Sequence, residues 1–241
     1  MTVRRVVTTR AGGASRWPYG SFNLGGHVGD DPAAVEANRR RLAAELGTDT
    51  DRVVWMDQVH GTTVAVVDRP PDRPLPATDG VVTATEGLVL AVLVADCVPV
   101  LLADPVAGVV GAAHAGRAGA AAGVAVRVLA TMVELGATAG RIEVLLGPAV
   151  CGGCYEVPAH MAEQVEAVLP GSACQTRHGS TGLDLRAGLT TQLLAHGVGS
   201  VVCDPRCTVE GADLFSYRRD GVTGRQAGLV WLTGEGGPCV Y

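Results

Sequence analysis

The sequence predicts a mixed α/β fold, either α+β or a layered α/β arrangement. Three observations carry this prediction. Short β-branched runs and helical stretches are mixed along the chain without strict strand–helix–strand alternation. Residues 88–119 hold two apolar runs, VLAVLVADCVPVLL and VAGVVGAAH, separated by Asp104-Pro105-Val106-Ala107-Gly108. The chain has 241 residues, 47% of them apolar, with no internal repeat and no low-complexity tail, which fits one substantial domain over residues 1–241.

Taken in order, residues 3–8 read as a first strand. Residues 10–26, RAGGASRWPYGSFNLGG, are Gly-rich and aperiodic. They form a long loop, and long loops inside compact domains tend to carry function. Asp30-Asp31-Pro32 opens a helix with an Asx cap and Pro in the first turn. Val35, Leu42 and Leu46 supply its apolar side and Gly47 ends it. Residues 53–56 and 62–67 are strands on either side of the turn Asp57-Gln58-Val59-His60-Gly61. Residues 69–76 are Pro-rich and charged, an exposed loop, and 79–84 form a short strand.

The two apolar runs then read as an antiparallel hairpin. Pro presets a turn, Asp bonds its own backbone, and Gly accepts φ > 0. A turn centred on Pro105 and Val106 pairs residue i with residue 211 − i, which sets Cys97 opposite His114. Residues 118–135 are helical and stop at Gly136, and 141–146 form a strand before Gly147-Pro148. Residues 158–169 and 183–196 are helices, and 200–203 a short strand. Residues 215–221 are turn-rich and polar, and 226–232 close the chain as a strand.

Composition removes several function classes. The net charge is −5 with no basic run, which argues against nucleic acid as a partner, because phosphate contacts need clustered Lys and Arg. The start, MTVRRVVTTRAGG, has no long apolar segment of the export kind, and the longest apolar run carries Asp96 and Pro99, so a cytoplasmic protein without a membrane partner is expected. Seven cysteines, an odd number, fit free thiols, most of them small buried hydrophobes.

His60, Cys97 and His114 form the candidate centre. Two imidazoles and a thiolate suit Zn²⁺, and three protein ligands leave a fourth tetrahedral position open, as in catalytic sites. Spacing alone fits a buried Cys and two core His equally well. Context favours a site, because all three fall at strand ends beside Asp, Gly or turn residues. Without a metal, Cys97 beside an imidazole reads as an activated nucleophile. Cys151-Gly-Gly-Cys154 with Cys203 and Cys207 has the form of a structural zinc set, but Cys203 sits in an apolar strand and is expected in the core.

Arg10, Arg117, Arg218, Arg219 and Arg225 lie in Gly-rich loops, where a planar guanidinium suits phosphate; solvated surface charge is the competing reading for each. Asn23, Gln58 and Asp96 lie at turns near the centre, placed either to hold substrate or to cap backbone. His160, His178 and His196 have no evident partners and are expected to be exposed.

The ordered set TTRAGGAS, YGSFNLGGHVGDDPAAVEANR, DQVHG, ADCVPVLLADP, AAHAGRAG, GPAVCGGCYEV and FSYRRDGVTGRQAG resembles the laccase-domain, or YfiH-like, family nearly end to end. The resemblance implies a layered α/β/β/α fold and one zinc ion on His60, Cys97 and His114, with Cu²⁺ able to take the same ligands. It implies phosphorolysis of adenosine, inosine, guanosine and methylthioadenosine, and deamination of adenosine. Nucleosides and phosphate are then the partners, and Arg10, Asn23, Gln58, Asp96, Arg218 and Arg225 the substrate residues, in a monomer or homodimer. Two other functions stay open: removal of serine from a peptidoglycan precursor, and a metal-binding scaffold without catalysis. The chain departs from many relatives after the third ligand, where His-Ala-Gly-Trp-Arg-Gly is replaced by His114-Ala-Gly-Arg117-Ala118-Gly119. That change bears on the purine or phosphate contact. Reducing dioxygen at a multicopper cluster needs more imidazoles than six scattered His supply.

Overall fold

The computed structural model describes residues 1–234. Its elements run β1 (Thr2–Val7), α1 (Pro32–Leu46), β2 (Val53–Val54), β3 (Val64–Val66), β4 (Gly80–Thr83), β5 (Val89–Val94), β6 (Val98–Asp104), β7 (Val109–Ala115), α2 (Arg117–Ala121), α3 (Val124–Glu134), β8 (Glu143–Leu146), α4 (Ala159–Glu166), β9 (Ala173–Gln175), β10 (Thr181–Leu183), α5 (Leu185–Ala195), β11 (Ser200–Cys203), α6 (Tyr217–Asp220) and β12 (Gln226–Thr233).

Two mixed sheets lie face to face. One has the order β1-β12-β5-β2 and the other β11-β8-β6-β7-β4-β3, while β9 and β10 pair separately. Side chains alternate along each strand, so the continuous apolar runs serve two cores at once. On β5, Leu90, Val92 and Val94 join Leu101 and Ala103 of β6 and Val230 of β12 between the sheets. Val89, Ala91 and Leu93 face the other way, where Leu42 and Leu46 of α1 cover the four-stranded sheet. Val98, Val100 and Leu102 of β6 pack with α3, α4 and α5 on the far side of the six-stranded sheet. The result is the α/β/β/α layering that the family resemblance implies.

Helix α1 forms where its signals stand. The Asp31 side chain accepts from the Ala33 N–H at 2.9 Å, Pro32 opens the helix, and Gly47 ends it at φ 67°. Such a cap contributes about 1 kcal/mol. Helix α3 sits close over the sheet because Gly80 and Gly111 have no side chains. A Cβ at either would lie 2.6 or 2.7 Å from a methyl of Val128.

Four expectations need correction. The run at residues 88–102 is two strands in different sheets, β5 and β6, separated by a bend at residues 95–97. The β6–β7 register pairs Pro99, not Cys97, with His114. Its loop holds four residues, because the Asp104 carboxylate accepts the N–H groups of Val106 and Ala107, both at 3.0 Å, and Gly108 turns at φ 66°. The displacement is two residues, so every side chain keeps its face. The helix expected over 118–135 is broken into α2 and α3 at Gly123, φ 83°. Strands β9 and β10 replace what reads as loop and helix start, because Ala173–Gln175 finds a partner in Thr181–Leu183.

Candidate metal centre and substrate pocket

His60 comes from the loop between β2 and β3, Cys97 from the bend between β5 and β6, and His114 from β7. One ligand atom from each lies within 4.8 Å of the others, and the two imidazole centroids are 4.7 Å apart. His60 is exposed, Cys97 half-buried and His114 buried.

Asp79, at the start of β4, organises two of the three. Its carboxylate accepts the backbone N–H groups of Val59, His60 and Gly61 at 3.2, 3.0 and 2.7 Å. That holds the loop in which His60 adopts φ 60°. The same carboxylate lies 2.8 Å from His114 Nδ1. Burial pushes the Asp79 carboxyl up, but the His114 and backbone hydrogen bonds outweigh it and leave it below its usual range. An ionised Asp79 favours a proton on Nδ1, which leaves Nε2 as the nitrogen of His114 that could hold a metal.

Cys97 is placed by Asp96, which adopts φ 94°, a region costly for a side-chain-bearing residue. The Asp96 carboxylate accepts the Thr208 hydroxyl at 2.6 Å and the Arg218 N–H at 2.6 Å. Burial pushes the Cys97 thiol up, yet hydrogen bonds from His114 and His60 bring it down to about 6. Burial likewise disfavours a charged His114, but Asp79 and then Cys97 raise it to about 9. Each of the two groups thus favours the charged form of the other. The donors fit a soft or borderline divalent cation. Gly116 keeps the space open, since a Cβ there would lie 2.4 Å from His60 Nδ1 and 3.1 Å from Cys97 Sγ.

The cluster opens into a cavity of about 590 Å³. Arg117, Arg218 and Arg225 line it, with His27, Gln58, Asp96, Val150, Tyr155, Leu185 and Tyr217. The Arg218 guanidinium stacks over Tyr155 at 4.7 Å. Burial holds the Arg225 guanidinium below its ordinary value, so this cation stands to gain from an anion. Partial burial, and after it Arg225, does the same to His27.

The structure separates the sequence candidates. Gln58, Asp96, Arg218 and Arg225 reach the cavity wall. Gln58 exchanges two hydrogen bonds of 2.8 Å with the Leu93 backbone and so fixes the end of β5. Asn23 is fully buried and does not line the cavity; its Oδ1 accepts the Arg225 N–H at 2.8 Å, which makes it a support for that arginine. Arg10 is elsewhere. It stacks over Phe215 at 5.0 Å and donates to the Gly20 carbonyl at 3.0 Å. Arg219 is spent on the carbonyls of Thr208, Gly211 and Leu214. His160, His178 and His196 are exposed, as expected.

Two expectations about cysteine fail. Cys203 is exposed rather than core, and of the six described cysteines only Cys207 is buried. Cys97, Cys151, Cys154 and Cys207 instead face other polar ligand atoms. Sequence reasoning missed Asp79, His27, Tyr155 and Tyr217. Asp79 had a signal: a carboxylate opening the apolar stretch Gly80-Val81-Val82 needs a partner.

The family model described as multi-copper polyphenol oxidoreductase laccase matches residues 4–233. A protein of Corynebacterium glutamicum named purine nucleoside phosphorylase is 58% identical over 235 residues, covering 97% of this chain and 96% of its own. One of Mycobacterium tuberculosis, also named purine nucleoside phosphorylase, is 60% identical over 230 residues, covering 95% and 92%. Among solved structures, YlmD from Geobacillus stearothermophilus superposes with a TM-score of 0.90 at 36% identity, covering 96% of this chain and 92% of that one. The Bacillus licheniformis hypothetical protein YfiH gives 0.89 at 34%, covering 96% and 93%. With a matched fold and a family model matched over nearly its whole length, the chain belongs to the multi-copper polyphenol oxidoreductase laccase family, the YfiH-like proteins.

Proposed function

We propose that this chain is a metal-dependent purine nucleoside phosphorylase that holds one zinc ion at His60, Cys97 and His114. The observation that carries the reading is the meeting, in one cavity, of the three-donor cluster with Arg117, Arg218 and Arg225. The relatives named purine nucleoside phosphorylase support the same reaction class. Adenosine, inosine, guanosine and methylthioadenosine are the proposed substrates, and deamination of adenosine is a proposed second reaction of the same pocket.

In phosphorolysis a phosphate oxygen bonds to C1′ of the ribose. The C1′–N9 bond breaks, its electron pair stays with the purine, and the base leaves with a proton. The residues here serve that change in three ways. The arginines gather the phosphate dianion, and the desolvated Arg225 binds it more strongly than a solvated cation would. Tyr155, Tyr217, Val150 and Leu185 supply apolar and aromatic wall for the base. Asp79 holds His114 in one tautomer, and Gln58 and Asp96 fix the strand end and bend beside Cys97. When bound, a divalent cation supplies Lewis acidity, polarising an oxygen of a reactant or lowering the pKa of water. Arg117, standing where many relatives carry Trp, adds a third cation to the wall and favours phosphate over a purely stacked contact.

The test is incubation of the purified enzyme with adenosine, with and without phosphate. Adenine and ribose 1-phosphate are expected only when phosphate is present. Inosine formed without phosphate reports the deaminase reaction. Adenosine, inosine and methylthioadenosine all left intact by zinc-loaded protein would overturn the proposal.

A further inference from the structure

A second cluster of soft donors lies outside the pocket. Cys151, Cys154, Cys207 and Glu210 each place one ligand atom within 4.8 Å of the others. Two tight turns build it. In the first, the N–H groups of Cys154 and Tyr155 both donate to the Cys151 carbonyl, at 2.9 and 3.0 Å, with Gly152 and Gly153 at the bend. The bend needs Gly152, since a Cβ there would lie 2.7 Å from Cys174 Sγ. In the second, the Gly211 N–H donates to the Cys207 carbonyl at 2.8 Å and returns Glu210 toward Cys207. A parallel bridge between Ala149 and Cys207 joins the two turns. The Cys151 N–H donates to Cys207 Sγ at 3.4 Å, and the Cys154 thiol to Glu210 Oε1 at 3.4 Å.

We propose that these four side chains form a second, structural divalent-metal site that takes zinc through three thiolates and one carboxylate. Both halves have the same spacing, Cys151-x-x-Cys154 and Cys207-x-x-Glu210. Thiolates select zinc over hard cations, and four protein donors complete a tetrahedron. The first centre, with three donors, stays open, whereas this one is closed. Binding releases three thiol protons to solvent and changes no oxidation state. Three thiolates and a carboxylate around a dication leave an excess of negative charge. Arg177 answers it, pairing with Glu210 while its backbone N–H donates to the Gly153 carbonyl at 3.1 Å.

The site sits behind the pocket wall. Val150 and Tyr155, beside the first turn, line the cavity. Thr208, next to Cys207, donates to Asp96 at 2.6 Å. A metal here pins both segments and so fixes the wall that faces substrate.

The experiment measures zinc by elemental analysis, and disulfides by mass, in the wild type, C97S, C154S and C207S, all purified under reducing conditions. The wild type is expected to hold two zinc ions per chain. C154S and C207S each lose one, and C97S loses the other. Should C154S and C207S fail to fold, metal-stripped C97S is titrated with Co²⁺ alone. Strong cobalt–thiolate absorption is expected there, because three of the four proposed thiolate ligands remain. A wild type with one zinc that C97S abolishes would overturn the second site, as would a disulfide within the cluster or C97S lacking the cobalt–thiolate band. Loss of metal from C97S alone bears on the first centre, and loss from C154S alone on the second, so the two readings fail separately.

Discussion

Two aspartates at opposite ends of the six-stranded sheet show how one physical device serves two purposes. Asp79 precedes β4 and Asp104 ends β6, and neither is exposed at all. Each collects three backbone N–H groups: Val59, His60 and Gly61 for Asp79, and Val106, Ala107 and Thr138 for Asp104. In both, burial pushes the carboxyl up, and the hydrogen bonds outweigh it and hold the carboxyl below its usual range. The difference is the fourth partner. Asp104 pairs with the surface guanidinium of Arg141 at 3.2 Å and closes a loop. Asp79 pairs with the buried imidazole of His114 at 2.8 Å and orients a member of the candidate metal cluster. The same buried anion closes a loop at one end and, on the proposed function, holds the metal centre at the other.

Breaking Asp79 has the largest expected effect. Asp79→Asn keeps the size but loses the charge that fixes the His114 tautomer. Activity is expected to fall about 100-fold and zinc affinity about 10- to 100-fold, read by steady-state rates and metal competition. Asp104→Asn should instead lower unfolding free energy by about 2 kcal/mol in a denaturant titration and leave kcat/KM within about twofold. If both variants lost activity equally, the contrast between the two ends would fail.

Acid sharpens the comparison. Asp104 lies below its ordinary value in the folded protein, so its stabilisation is present above the unfolded value of about 4 and is lost as pH falls through the folded value. The stability gap between wild type and Asp104→Asn should therefore be constant near neutrality and shrink below about pH 4. Chemical denaturation at pH 3, 4 and 7 would read it. A gap that widened in acid would contradict the assignment. The smallest effect belongs to Arg141→Met. Its side chain is 43% exposed, so solvent screening leaves about 0.5 kcal/mol for the pair, detectable as a small shift in denaturation midpoint.

Both ends also show what the sequence could and could not disclose. Helix α1 was legible because its stop and start signals are local: Asp31, Pro32 and Gly47 each act on the adjacent turn. The cluster of His60, Cys97 and His114 was legible because each falls in a motif that carries the family resemblance. The hairpin register was not, because Asp104 signals that its side chain bonds the turn backbone but not how many residues the turn holds, and its carboxylate accepts both Val106 and Ala107 N–H groups in a loop of four. Asp79 reaches His114 across 35 positions, and Cys151 meets Cys207 across 56 through the bridge at Ala149. Spacing suggested pairing Cys203 with Cys207, whereas the fold pairs Cys207 with Glu210 and turns Cys203 to solvent. Such contacts are set by sheet order, which depends on the whole chain at once.

The most direct measurement takes wild type, Asp79→Asn and Asp104→Asn from parallel preparations and determines, on each, zinc at the His60–Cys97–His114 centre and phosphate-dependent cleavage of adenosine. Wild type and Asp104→Asn should keep both, and Asp79→Asn should lose both together. An Asp79→Asn protein that kept its zinc and its turnover would show that this carboxylate does not organise the centre, and the account of the site would fall.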